Sequence, residues 1–299
     1  MRGSTPYYIG DTSITSNVAG FVLNNSGSIT NSKVGGDQII VIGENIRDNI
    51  VTYTNAQLQN FVISAQGEVA GFVLSNSGEI ASSGAQNIQI TNKASLSSSQ
   101  TAGFAVSNSG EIRYSYVEGV RQNVEEEDAK LYHIQGSNIS SKGIVAGFVV
   151  NNGINGVVSD GYSNILIKND TEIKSRTSAG FVYKNEGLVQ YSYSASFVEK
   201  ADILQLNFSG VDKNGNNLNS GKIELSYYIN ENYDQDASSD VQERISNQAT
   251  LVVIGEASKE NAFYGFTFTS SDSSEDGVWR RTDEGPRLVS EDTVTVSHR

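Results

Sequence analysis

AGFVLNNSG, from Ala19 to Gly27, is the stretch that decides the fold, because it returns four times. It recurs as AGFVLSNSG from Ala70, AGFAVSNSG from Ala102, AGFVVNNGING from Ala146 and AGFVYKNEG from Ala179. In the second copy Gly71 opens, Phe72-Val73-Leu74 is a short apolar strand, and Ser75-Asn76-Ser77-Gly78 is a turn. Glu79-Ile80 then starts a further strand. Gly27, Gly78, Gly110 and Gly187 are read as turn glycines that supply positive φ. In the fourth copy the match shifts to Gly156, which implies a longer corner. A short strand–turn unit that repeats cannot bury its apolar face alone, so copies must stack.

A weaker strand with one aliphatic residue precedes each copy, around Ile14, Ile63, Leu96, Ile139 and Ile173. The reading is therefore all-β: a parallel β-helix, or β-solenoid, of three short strands per winding, with an inserted or capping β-rich segment near the C-terminus. Phe21, Phe72, Phe104, Phe148 and Phe181 are expected to form one column, each contributing roughly 1.5–3 kcal/mol on full burial. Val22, Val73, Val149 and Val182 form a neighbouring column, and Asn25, Asn76, Asn108 and Asn185 a side-chain ladder at one corner. The opening glycines, Gly20, Gly71, Gly103, Gly147 and Gly180, are unevenly spaced. The long gaps suggest a second, degenerate coil over 37–64 and a projecting loop or helical turn over 117–135 around Glu125-Glu126-Glu127-Asp128. With some eight windings about 4.8 Å apart, the rod would be on the order of 40 Å long.

Residues 1–10 read as a leader and tail, 11–197 as the solenoid, 198–260 as an insertion or capping subdomain, and 261–299 as a closing coil and tail. Met1-Arg2-Gly3-Ser4 has the look of a vector-derived leader, which suggests a piece of a longer protein. Within 198–260, Ala201–Ser209, Lys222–Ile229 and Leu251–Gly255 look like strands, and Ser239–Gln248 like a short helix capped by Ser239 or Asp240. Trp279, Phe266 and Phe268 are suited to covering an open edge.

Composition narrows the function. The chain has 299 residues, no Cys and two His, His133 and His298. Disulfides, thiolate metal sites and His-based centres are thereby disfavoured. The net charge of −13 argues against nucleic acid. That charge is uneven: residues 1–200 hold 13 basic and 17 acidic side chains, and residues 201–299 hold 8 and 17. No run of 18 apolar residues occurs, so no membrane span is expected. Walker, dinucleotide, HExxH and GxSxG motifs are missing.

Three groups of candidate site residues remain. Asp212, Asn214 and Asn216 have the spacing of the start of a calcium loop, but Asn217 stands where Gly belongs and Ile223 where Glu belongs, so a polar hairpin turn is favoured. Asp234, Asp236 and Asp240, and Asp272, Glu275 and Asp276, are further acidic clusters. Glu79 and Glu111 occupy equivalent places and could be paired catalytic carboxylates, although like charges stacked in register should repel. Tyr114, Tyr116, Tyr191 and Tyr193 align between copies three and five. They could stack on sugars, but one of each pair is better read as core and the other as flank.

The third and fifth copies continue as GEIRYSYVEG (110–119) and GLVQYSYSAS (187–196). Together with NAFYGFTF from Asn261, Gly277-Val278-Trp279 and Glu284-Gly285-Pro286-Arg287-Leu288, this resembles GLUG-type repeat arrays over about residues 10–197 and 261–288. The opening here is AGFV where that family more usually has GGLVG. The resemblance implies a segment of a large bacterial surface or secreted protein, such as an adhesin or a protease stalk. Its partners would be a protein or glycan ligand at a cell surface, or further copies of itself. No catalysis and no cofactor is expected.

Overall fold

A computed structural model describes residues 7–9, 17–35, 61–94, 99–126, 129–135, 137–169, 177–198, 206, 208–212, 214–230, 249–253, 257, 262–269, 277–282 and 285–290, and the strand backbone of 38–39, 43–47, 50–54 and 57–58. It is a parallel β-solenoid. Each of the first five windings has five short strands rather than three. In the second winding these are Phe61–Ala65, Val69–Ala70, Val73–Asn76, Glu79–Ala81 and Gly84–Gln86. They seed five parallel stacks, here called sheets A to E in that order, and Ile88–Asn92 returns to sheet A. Ile63 pairs with Ile90, so a full winding takes only 27 residues.

Register follows the repeat. Val22, Val73, Ala105, Val149 and Val182 pair in succession in sheet C. In sheet A the buried column is Ile63, Ile90, Ile139, Ile167 and Val198. Ile63 and Ile139 were expected there, whereas the positions around Ile14, Leu96 and Ile173 lie outside the described residues. Counting back a fixed distance from AGFV fails because the corner from sheet A to sheet B varies in length: 66–68 in one winding and 93–99 in the next.

Among the described residues the two long gaps show antiparallel pairs and no extra coil. Residues 36–60 hold antiparallel pairs, Gln38–Ile39 with Gln57–Leu58 and Gly43–Arg47 with Ile50–Thr54. Val120–Glu126 and Ala129–Gln135 form a second antiparallel hairpin where a loop or helical turn was expected. Both insertions leave from the same corner, between sheets E and A. Elsewhere one residue, Asn87 or Ile165, or two, Ala195 and Ser196, suffice there. The stack is shorter than eight windings for this reason: sheet A has six strands and sheet C five.

The phenylalanine column is continuous. Ring centroids are 4.9, 4.7, 4.8 and 4.8 Å apart from Phe21 through Phe72, Phe104 and Phe148 to Phe181, and Phe208 adds a sixth ring at 5.0 Å. Each stacked pair adds about 0.5–1.5 kcal/mol beyond area burial. The stretch 198–260, read from sequence as an insertion or cap, carries the winding onward where it is described. Val189 pairs with Ile223, Tyr193 with Tyr227, and Tyr228 with Leu251. Ser239–Gln248 lies outside the described residues.

The corner glycines act by a different mechanism from the expected one. Gly78 does not have positive φ. A Cβ there would fall on the carbonyl oxygen of Gly27, so close approach of successive windings excludes side chains. Positive φ instead falls on non-glycine residues between sheets D and E: Asn31, Ser82, Tyr114, Asp160, Tyr191 and Leu225, all at 45–51°. Six consecutive windings thus share one left-handed corner.

Candidate functional surfaces

The asparagine ladder joins the windings at the corner between sheets C and D. Asn25 Nδ2 donates to Asn76 Oδ1, Asn76 to Asn108, Asn108 to Asn152 and Asn152 to Asn185, each at 2.8 Å, and Asn185 donates to Asn219 Oδ1 at 2.7 Å. Asn152 and Asn219 join the four residues expected. Asn152 was legible, since it follows its opening glycine by the same interval as the others. Asn219 lies past the last copy and had no such signal.

Glu79 and Glu111 are in register in sheet D, flanked by Ser28 and Val157, with Leu188 beyond. The expected repulsion is answered by Arg113, whose guanidinium pairs with Glu79 and lies 3.5 Å from Glu111. A guanidinium between two carboxylates makes this a surface ion-pair ladder.

The tyrosines divide between core and flank. Tyr116, Tyr162, Tyr193 and Tyr227 are buried and pair in succession in sheet E. Tyr162 had no counterpart among the aligned residues, because its winding has a longer corner. Tyr114 and Tyr191 take the left-handed corner positions. The buried column is covered by residues of 262–269, 277–282 and 285–290. Trp279, fully buried, lies 5.7 Å from the Tyr193 ring and stacks on Phe266 at 4.7 Å. Trp279 therefore covers the flank of sheet E and not an end of the rod. Arg287 pairs with Glu118 and donates to the Tyr162 hydroxyl at 2.9 Å, and the Tyr193 hydroxyl donates to the Pro286 carbonyl. Sugar stacking on Tyr116 or Tyr193 is thereby blocked.

Asp160 sits beside this cover. Burial pushes its carboxyl up to about 6, against the lowering pull of the Trp279 indole and Ser159. The indole N–H faces the carboxyl but closes no hydrogen bond of normal geometry.

Asp212 forms a closed polar turn. Its Oδ1 accepts from the Asn214 and Asn216 backbone N–H groups at 2.8 Å each, and its Oδ2 from Asn216 Nδ2 at 2.9 Å. These donors, the Asn216 side chain first, hold its carboxyl below the usual range. The loop brings Asp212 and Asn216 together as acceptor and donor, not as two metal ligands. Among the described residues no group of three or more His, Cys, Asp or Glu side chains could hold a metal. The clusters at Asp234, Asp236 and Asp240, and at Asp272, Glu275 and Asp276, lie outside those residues. No helix among the described residues is long and apolar enough to cross a membrane.

A recess lies alongside the strands of sheet C. Its floor includes Leu23, Leu74 and Val106. Asn17, Glu68 and Gln100 line one wall and Asn24, Ser75, Ser107 and Asn151 the other, around a volume of about 420 Å³. Asn151 Nδ2 donates to Gln100 Oε1 at 2.6 Å and bridges the walls. Neither wall could be foreseen, because each rests on which sheets abut.

No family model, curated protein or solved structure matches the chain.

Proposed function

We propose that this chain is a structural and adhesive module of a bacterial surface or secreted protein, without enzymatic activity, which holds protruding elements out to a protein or glycan ligand. The observation that carries the reading is where the chain spends its extra residues. Both described hairpin insertions, within 36–60 and 120–135, leave from the corner between sheets E and A. The described windings that lack them cross that corner with one or two residues. A scaffold whose windings share unbroken Phe and Asn columns tolerates insertions where no column passes. Such loops on a rigid support are common binding elements. The resemblance to GLUG-type arrays supports the same reading.

The test replaces residues 36–60 by a single Asn, as at Asn87, and deletes residues 120–136 so that Gly119 takes that place, separately and together. Far-UV circular dichroism and melting are expected to stay close to the parent. Binding on glycan and host-protein arrays is expected to be present in the parent and lost in one of the deletions. Binding that survives both deletions would overturn the assignment to the hairpins.

A further inference from the structure

The corner between sheets C and D is two residues longer in the fourth copy than in the others, and the extra residues form its tip. Asn152-Gly153-Ile154-Asn155-Gly156 stands where the second copy has Asn76-Ser77-Gly78. Asn152 keeps the ladder place: it is buried, its Oδ1 accepts from Asn108 and its Nδ2 donates to Asn185. Gly153 to Gly156 close a β-turn, in which the Gly156 N–H donates to the Gly153 carbonyl at 2.7 Å. Ile154 and Asn155 project from this turn into solvent, Ile154 with 79% exposure. Among the described residues the Asn155 carboxamide has no hydrogen-bond partner. The residue that follows it, Gly156, has no side chain to shield its backbone nitrogen.

We infer that Asn155 is a site of spontaneous modification: its side chain deamidates through attack by the Gly156 backbone nitrogen, and the isoaspartate that results loosens the asparagine ladder beside it. The chain and water supply every atom. A bond forms between the Gly156 nitrogen and Asn155 Cγ, the Cγ–Nδ2 bond breaks, and Nδ2 leaves as ammonia with the proton of the Gly156 N–H. Water then opens the imide at either carbonyl. One opening gives aspartate, and the other gives isoaspartate, whose main chain is one methylene longer. The sequence holds three Asn-Gly pairs, and the structure separates them. Asn152 is buried with its carboxamide engaged at both ends. Asn214 is exposed, but the N–H groups of Asn214 and Asn216, on either side of Gly215, both donate to the Asp212 carboxylate at 2.8 Å. The attacking nitrogen must shed its proton, and a carboxylate so close disfavours the anion. Around Gly156 the acceptors are neutral: its own N–H meets the Gly153 carbonyl and the Val157 N–H the Gly110 carbonyl. The added methylene falls directly before Gly156, whose carbonyl accepts from Asn152 Nδ2 at 3.1 Å and from the Leu188 N–H at 2.9 Å. Even a Cβ on Gly156 would meet Asn152 Oδ1 and the Asn108 carbonyl, so a longer chain there must shift the ladder. The inference is independent of the proposed ligand binding.

Incubation of the full chain in heavy-oxygen water at mildly alkaline pH tests it, read by peptide mapping with fragmentation between Asn152 and Asn155. In the folded protein Asn155 is expected to lose its amide and take up one heavy oxygen severalfold faster than Asn214, with Asn152 intact. In guanidinium chloride, where the fold no longer separates the three pairs, their rates should converge. The product should be methylated by an isoaspartyl methyltransferase. Asn155→Gln, which needs a larger ring to react, should remove that signal at this position. The aged protein should melt below the fresh one, whereas aged Asn155→Gln should keep its melting temperature. Fresh Asn155→Asp, which adds the charge without the methylene, should melt with the parent. An Asn155 that stays intact in the folded chain, equal rates at Asn155 and either other pair in the folded chain, or an aged protein as stable as the fresh one would each overturn the inference.

Discussion

Asn76 Nδ2 donates to Asn108 Oδ1 at 2.8 Å inside a fully buried corner, although the two residues belong to different windings. Each carboxamide from Asn76 to Asn185 is donor to one neighbour and acceptor from the other. Asn108 also donates to Asn152 Oδ1 and to the Val157 carbonyl. Asn108→Ala therefore strands several buried polar groups at once. Each stranded group costs about 1–3 kcal/mol, so the loss should lie well above that of an exposed substitution. Urea denaturation is the measurement, and a change within that of surface variants would contradict the ladder's role.

Phe104 lies between two rings and is fully buried. Phe104→Ala should destabilise by about 3–5 kcal/mol. Phe21→Ala should cost well under half as much, since only one face of its ring is covered. Equal losses at the two positions would be inconsistent with the open end.

Gly78 and Gly27 are equivalent in sequence but not in surroundings. Gly78→Ala would push its Cβ onto the Gly27 carbonyl, an overpacking that costs about 1–3 kcal/mol. Gly27→Ala meets nothing and should stabilise by about 0.4–1 kcal/mol through the unfolded chain. Thermal melts of the two variants, compared side by side, check the sign of each.

Asp160 makes stability depend on pH. Its carboxyl is held at about 6 in the fold against an ordinary value of 3.8. The native state therefore binds more protons than the unfolded state between those values. Stability should fall as pH rises from about 4 to about 6 and then level off. Asp160→Asn removes the ionisable group and suits the corner, where the first winding already has Asn31. Because the carboxyl is partly solvated, the gain is discounted to roughly 1–2 kcal/mol at pH 7. The gain should vanish towards pH 4, and a difference independent of pH would contradict the assignment.

Arg287 and Glu118 pair with little exposure of either side chain. Arg287→Ala would leave the carboxylate uncompensated at a cost of about 3–5 kcal/mol. Residues 262–290 should then become more sensitive to limited proteolysis, while the Phe column is retained. Unchanged proteolysis would mean that the cover is held mainly by Trp279 and Phe266.

The parts of the fold that could be read in advance are those where side-chain identity is imposed by contact along the stack. AGFV announces sheets B and C because a Phe column and close-packed glycines admit few substitutes. Sheet A was only half legible, since Ile90 and Ile167 sit in plain strand sequence and the corner that follows varies in length. The hairpins at 43–54 and 120–135 alternate in the same way as solenoid strands, so composition could not separate antiparallel from parallel pairing. Arg113 resolves the Glu79–Glu111 conflict from two residues further along its own strand, where spacing alone does not signal a partner. The left-handed corner was hidden because Ser82, Tyr114 and Leu225 are not residues associated with positive φ.

From Asn25 through to Asn185, each carboxamide in the Asn column points its N–H towards the later winding. The amide dipoles therefore add along the axis and polarise one another, giving the rod an electrical direction as well as a geometric one. A duplicated winding of some 27 residues, the spacing of Ile63 and Ile90, would slot into this series without reversing any bond. Such a protein can lengthen by copying one unit within its gene, each copy adding a step of length and reinforcing the polarity already present.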